Sequence, residues 1–228
     1  MDKVTAPTSP VAESSSARAG GGGADSATLH HALRRATHAA HHELEQHPLL
    51  RPLLTPTLTL DDYGLVVDAF IDFFEGVEPA LCAALSGTAW KGQDYRYLPR
   101  LPLLKRDRRD LSLSSGPRIC QNEPWEFDEE DARLLGTLYV LEGATQGGRV
   151  IAPQLLRTLQ LDADFGASYF YLHAQGQWQN LQLLLGECRY PDRAIEQAIA
   201  TFARLRHCLD RRFTMSREGG ASVDHRTG

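Results

Sequence analysis

Six of the nine histidines fall between positions 30 and 47. They sit in a segment where Leu29, Leu33, Ala36, Ala40 and Leu44 recur at helical spacing and form an apolar stripe. On such a helix His38 and His42 point away from the stripe, while His41 sits roughly 90° from its centre, at the edge of the buried face. Glu45 follows one turn later on the same side. A histidine with a carboxylate one turn away suits a metal ligand: the carboxylate takes the second ring N–H and fixes tautomer and orientation. The same pair also makes an ordinary boundary histidine with an ion pair, and this helix alone leaves both readings open. Register removes two other metal sites. HExxH needs a histidine at 46, where Gln46 stands and His47 comes one residue late. A di-iron carboxylate bundle needs paired ExxH motifs, and the sequence has none.

A second segment, GTLYVLEGATQGG (136–148), holds four glycines within a helical pattern. Each costs about 1 kcal/mol relative to alanine, a large sum against the stability of one domain, so a compensating reason is expected. Gly136, Gly143 and Gly147 fall within about 40° of one another on the helical wheel. One face of the helix is therefore nearly bare main chain, which admits close approach by another helix or by a planar ligand; both remain open. Gly147-Gly148 also marks a place to bend. Together, a histidine at a cavity edge and a glycine-lined helix suggest haem between two helices, with one protein axial ligand and an open distal position for O2.

The elements that must position these segments are helices. Thr59 with Asp62 has capping-box spacing and opens a helix through Tyr63, Val66, Val67, Phe70, Phe74, Val77 and Leu81. A third helix is expected from about Asp128 through Leu155, and a last from near Asp192 through Leu209. Residues 164–187 read as helical with uncertain limits, and 98–124 as mostly irregular with a short helix across 103–111. No period-2 run is long enough for a sheet, so the fold class is all-α, a single-domain helical bundle. Residues 1–27 are 19 parts in 27 Ala, Gly, Ser, Thr or Pro, too poor in apolar area to offset ordering entropy, and read as a disordered tail. Residues 216–228 read likewise, leaving 28–215 as the domain.

Composition narrows the partners. A formal charge of −5 argues against nucleic acid. No apolar run approaches the ~20 residues of a membrane anchor, and no secretory h-region is present. Four scattered cysteines fit buried thiols in a reducing compartment, which makes a cytoplasmic location the expectation.

At this point the sequence resembles the haem oxygenase family. The segment ALRRATHAAHHELEQHPLL (32–50) is similar to its proximal helix, and LYVLEGATQGGRVI (138–151) to its distal helix. The likeness extends through 59–81, more weakly through PLLKRDRRDL (102–111), and is closest to the bacterial branch, which includes enzymes that supply biliverdin to bacterial phytochromes. It implies a haem-oxygenase-like all-α fold, and haem as substrate and cofactor with its iron on His41. It also implies Glu45 as the acceptor behind His41, with Gly143 and Gly147 close over the distal side. Haem contacts are implied for Arg34, Tyr139, Gly148 and Arg149. The implied reaction is O2- and reductant-dependent cleavage to biliverdin, carbon monoxide and ferrous iron, with electrons from an external ferredoxin or flavin reductase and a biliverdin-using phytochrome as a partner. The sequence departs from the animal pattern at the distal aspartate (Ala144) and at its assisting tyrosine and arginine (Phe74, Val140). It departs again at a propionate tyrosine (Leu138) and in WQNLQLLLGE (178–187), which lacks the late basic pair.

Two other readings share this architecture. One is a non-catalytic haem binder for storage or sensing. The other, a thiaminase-type hydrolase, needs a nucleophilic cysteine, whereas Cys82, Cys188 and Cys208 read as core thiols. The basic run Lys105, Arg106, Arg108 and Arg109 is a solvated face or a dock for an acidic electron donor, and His173 is a surface histidine or a haem-edge residue.

Overall fold

Thr59 and Asp62 form the reciprocal cap their spacing predicts. The Asp62 N–H donates to Thr59 Oγ1 at 3.1 Å, and the Thr59 hydroxyl donates to the Asp62 carboxylate at 2.6 Å. The computed structural model describes residues 22–87, 94–113, 124–127, 132–175 and 177–221. Its helices are α1 (Gly22–Glu45), α2 (Leu60–Gly87), α3 (Leu101–Asp110), α4 (Ala132–Gln146), α5 (Gly148–Leu159), α6 (Ser168–Tyr171), α7 (Trp178–Leu185) and α8 (Pro191–Ala221), with 3-10 turns at Arg51–Leu54 and Leu172–Gln175. Among the described residues there is no strand, only an isolated bridge between Asp162 and Gly166.

The long α8 is the common backing, packed on α1, α2 and α4. Its Ala198, Leu205, Cys208 and Leu209 join Leu33, Val66, Phe73, Leu134 and Leu138 in one core. Gly136 lets α4 lie directly on α8: a Cβ there would fall on the Ala194 carbonyl. Buried charge ties the outer helices together. Arg212 of α8 bonds Asp72 of α2 at 2.7 Å, and Asp68 faces both Arg212 and Arg108 of α3. Asp107 of α3 caps α6, accepting from the Ser168 and Tyr169 N–H groups at 2.8 and 3.0 Å.

Three expectations change. The helix expected through Leu155 is two, divided at the Gly147-Gly148 pair that marks a place to bend. Helix α3 begins at Leu101, two residues before the expected start. Helical structure also starts at Gly22 and runs to Ala221, past the expected limits of 28 and 215, because extending an established helix costs far less than nucleating one. The remainder of both expected tails, with 114–123, 128–131 and Cys120, lies outside the described residues.

Candidate functional site

Helix α1 carries His30, Arg34, Thr37 and His41 at spacings of four, three and four, so they share one face. Helix α4 carries Tyr139 and Gly143 one turn apart, with Gly147 at its end. Both helices pack on α7 and α8, while their own backbones do not pack extensively on each other. They meet instead through side chains: the His30 and Tyr139 rings lie 6.1 Å apart, and Tyr139 lies beside Thr37 and Arg34.

His41 is more open than its expected boundary position, with 60% of the side chain exposed. The reason is one-sided support: its ring meets Phe202 of α8 edge-to-face at 6.2 Å, and its Nδ1 lies 3.4 Å from Glu45 Oε1. The other Glu45 oxygen is 3.7 Å from His42 Nδ1. His38 and His42 are exposed as expected.

The four glycines divide into two kinds. Gly136 faces α8 main chain, and Gly148 is buried against the Phe170 carbonyl and His173 Nδ1. The bareness of these two serves packing, of Gly136 on α8 and of Gly148 on the end of α6. A Cβ on Gly143 would meet only the Trp178 ring, at 3.7 Å, and one on Gly147 only the Ala144 carbonyl, at 3.1 Å, and Ile151. This pair is a cradle that side chains would fill. Tyr139 is buried, and burial pushes its hydroxyl pKa up, with Thr37 and Arg34 opposing. Arg34 and Arg149 are exposed, as is Ala144, while Phe74, Leu138 and Val140 are core residues.

Behind the cradle, Glu142 turns inward. Its Oε1 accepts from Arg100 Nη2 at 2.8 Å and from the Tyr95 hydroxyl at 2.9 Å. The Arg100 guanidinium also donates to the Leu98 carbonyl and Thr145 Oγ1 and lies over the Tyr97 ring. Glu78 accepts from the N–H groups of Arg100 and Leu101 and from the Tyr97 hydroxyl. Sequence reasoning missed this network, although a charged residue amid VLEGA on an otherwise apolar helix was a signal. It also missed Phe202, Trp178 and His30, which carry no motif.

Other candidates find different work. His47 is buried, bonded to Asp210 at 3.2 Å and to the Leu49 N–H at 3.1 Å. His173 Nδ1 donates to the Phe170 carbonyl at 2.8 Å. In the basic run, Lys105 pairs with Glu75, Arg106 with the Asp164 carbonyl and Arg108 with Asp68, which weakens the docking reading. Cys82 is exposed rather than core, and burial pushes both the Cys82 and Cys188 thiols up, the wrong direction for a nucleophile. No group of three or more His, Cys, Asp or Glu among the described residues could hold a bare metal ion. Among them, too, no helix is long and apolar enough to cross a membrane.

No protein-family model matches the chain. A protein named Heme oxygenase from Xanthomonas campestris pv. campestris (strain 8004) is 34% identical over 158 residues, which span 65% of this chain and 89% of that protein. Among solved structures, the NO- and CO-bound heme oxygenase from Neisseria meningitidis matches with a TM-score of 0.62 at 20% identity, covering 82% of this chain and 92% of that one. Heme oxygenase from Leptospira interrogans gives 0.64 at 18%, covering 79% and 98%. Heme oxygenase-1 from the cyanobacterium Synechocystis, in complex with heme, gives 0.60 at 15%, covering 86% and 98%. At these identities the three structures establish a shared fold.

Proposed function

The chain belongs to the heme oxygenase family, and from that premise we propose that it uses O2 and external electrons to cleave haem to biliverdin, carbon monoxide and ferrous iron. When bound, haem supplies both the iron that meets O2 and the ring that is opened. His41 would hold the iron through Nε2, because Glu45 stands 3.4 Å from Nδ1, where it can accept that N–H and leave the Nε2 lone pair free. Phe202 holds the imidazole plane from behind. On α4, Gly143 and Gly147 would let main chain approach a flat ring closely, and that main chain would offer ordered water its carbonyl oxygens without a strong acid. Arg34 and Arg149, both exposed, are the cations available to the carboxylate edge of haem. Electrons come from a ferredoxin or flavin reductase in the cytoplasm, and the product suits a biliverdin-using phytochrome.

The observation that carries this reading is the pairing of a carboxylate-backed histidine on α1 with a cradle on α4 that two side chains would fill. Adding hemin should produce a Soret band, and ascorbate in air should bleach it to a green pigment with biliverdin's spectrum. His41→Ala should lose both the normal band and turnover; undiminished biliverdin from that variant overturns the assignment. Apolar Phe74 and Val140, with Ala144, favour a second reading, a haem binder without turnover. In that case the band forms and ascorbate leaves it intact.

A further inference from the structure

Trp178 opens α7 and reaches across to α4, where its Cζ3 would stand 3.7 Å from a Cβ on Gly143, an ordinary van der Waals contact. Its ring centroid is 5.5 Å from His30 at 73° and 5.7 Å from Tyr139 at 46°, and His30 and Tyr139 are themselves 6.1 Å apart at 61°. Three rings from three helices thus touch pairwise in a closed triangle, in the tilted and edge-to-face geometries that aromatic pairs prefer. The triangle stands across the interval between α1 and α4 at the Gly143 end. One turn further on, Gly147 meets only its own helix and Ile151 just beyond it.

We infer that Trp178, braced by His30 and Tyr139, is the stop that sets the in-plane orientation of haem, and therefore which bridge of the ring is opened. The inference deepens the haem reading above and rests on it. A flat ligand laid on α4 is free toward Gly147 and blocked by the indole edge toward α7. A tetrapyrrole is nearly square, so its orientations differ only in the substituents presented to each wall. Discriminating among them needs a shaped wall or a charged one, and α7 carries no charge, since Trp178 to Leu185 reads WQNLQLLL. The indole is the one large group from that helix at the cradle, so shape rather than charge selects the edge on that side.

Two readouts test this on the full-length protein with hemin. One is the set of shifted haem methyl resonances in the proton NMR spectrum of the cyanide complex, which reports orientation without turnover. The other is the biliverdin isomer ratio by chromatography. Wild-type protein should show one dominant orientation and one dominant isomer. Trp178→Ala should move both ratios about tenfold toward the minor form, with Trp178→Phe between. Leu183→Ala, on the exposed side of α7, should match wild type. If Trp178→Ala fails to fold, Trp178→Phe and His30→Ala carry the test. Bound haem with unchanged orientation in the Trp178 and His30 variants overturns the inference and leaves the haem reading standing. A wild-type protein that forms no Soret band overturns both.

Discussion

Alanine substitution at the four glycines of 136–148 separates packing from ligand binding within one stretch of chain. Alanine is favoured over glycine in a helix by about 1 kcal/mol, so an unobstructed replacement should stabilise. At Gly143 the added methyl meets only the Trp178 ring at 3.7 Å, ordinary contact. The variant should gain up to about 1 kcal/mol, raising Tm by about 2–4 °C for a chain of this size. Gly147→Ala should be nearly neutral, since the Ala144 carbonyl is only slightly tight at 3.1 Å. At Gly136 and Gly148 the methyl lands on the main-chain carbonyls of Ala194 and Phe170, which no change of rotamer relieves. Overpacking there costs about 3 kcal/mol; less the helix preference, about 2 kcal/mol is lost and Tm falls by about 4–8 °C. Haem affinity should move oppositely. One methyl held between ring and helix at Gly143 or Gly147 should raise Kd about tenfold, worth ~1.4 kcal/mol. Circular-dichroism melts and hemin titrations of all four variants make the comparison. The division is refuted if Gly143→Ala melts as low as Gly136→Ala, or if both cradle variants bind hemin as tightly as wild type.

Removing Glu142 leaves Arg100, 1% exposed, without its counter-ion. Glu142→Ala should cost about 3–5 kcal/mol in urea unfolding, while a double replacement of Arg100 and Glu142 by methionine should lose less than either single change; a single-variant loss under ~1 kcal/mol contradicts this. His47 accepts the Leu49 N–H on Nδ1, so its proton sits on Nε2 and donates to Asp210. Burial holds its pKa below 6.5 against the pull of Asp210. The unfolded chain therefore takes up that proton first, so this share of stability is complete above pH 6.5, declines as pH falls toward the folded pKa and is flat below it. His47→Gln should flatten that part of the stability profile measured by urea titration; an unchanged slope in the variant removes the explanation.

Local signals were legible wherever the chain interacts with itself at short range. The Thr59–Asp62 cap, the bend at Gly147 and the outward aim of His38 and His42 all follow from spacing within one helix, and each is present. What spacing cannot report is which helix arrives on a given face. Gly136, Gly143 and Gly147 are neighbours on the wheel, yet α8 covers the first and leaves the other two to Trp178 and their own helix end. Gly148 resembles Gly147 in sequence and is buried only because α6 ends beside it. Spacing puts His41 at a boundary because it says nothing of α8; Phe202 supports one side of its ring and nothing described closes the other.

The same limitation bears on the candidate residues of helices α1 and α4, whose spacing is governed elsewhere. Both are seated on α8, at Phe202 beneath His41 and at Ala194 beneath Gly136. The distance between the His41 face of α1 and the glycine face of α4 is thus a property of the shared backing rather than of either motif. The Arg100–Glu142 pair adds a second restraint, tying the residue before Gly143 to the 94–100 segment and, through Glu78, to α2. A buried pair of this kind adds little net stability over apolar packing, but it is costly to break halfway. Its physical consequence is register: α4 cannot rotate about its axis and carry Gly143 away from Trp178 without stranding a charge in the core.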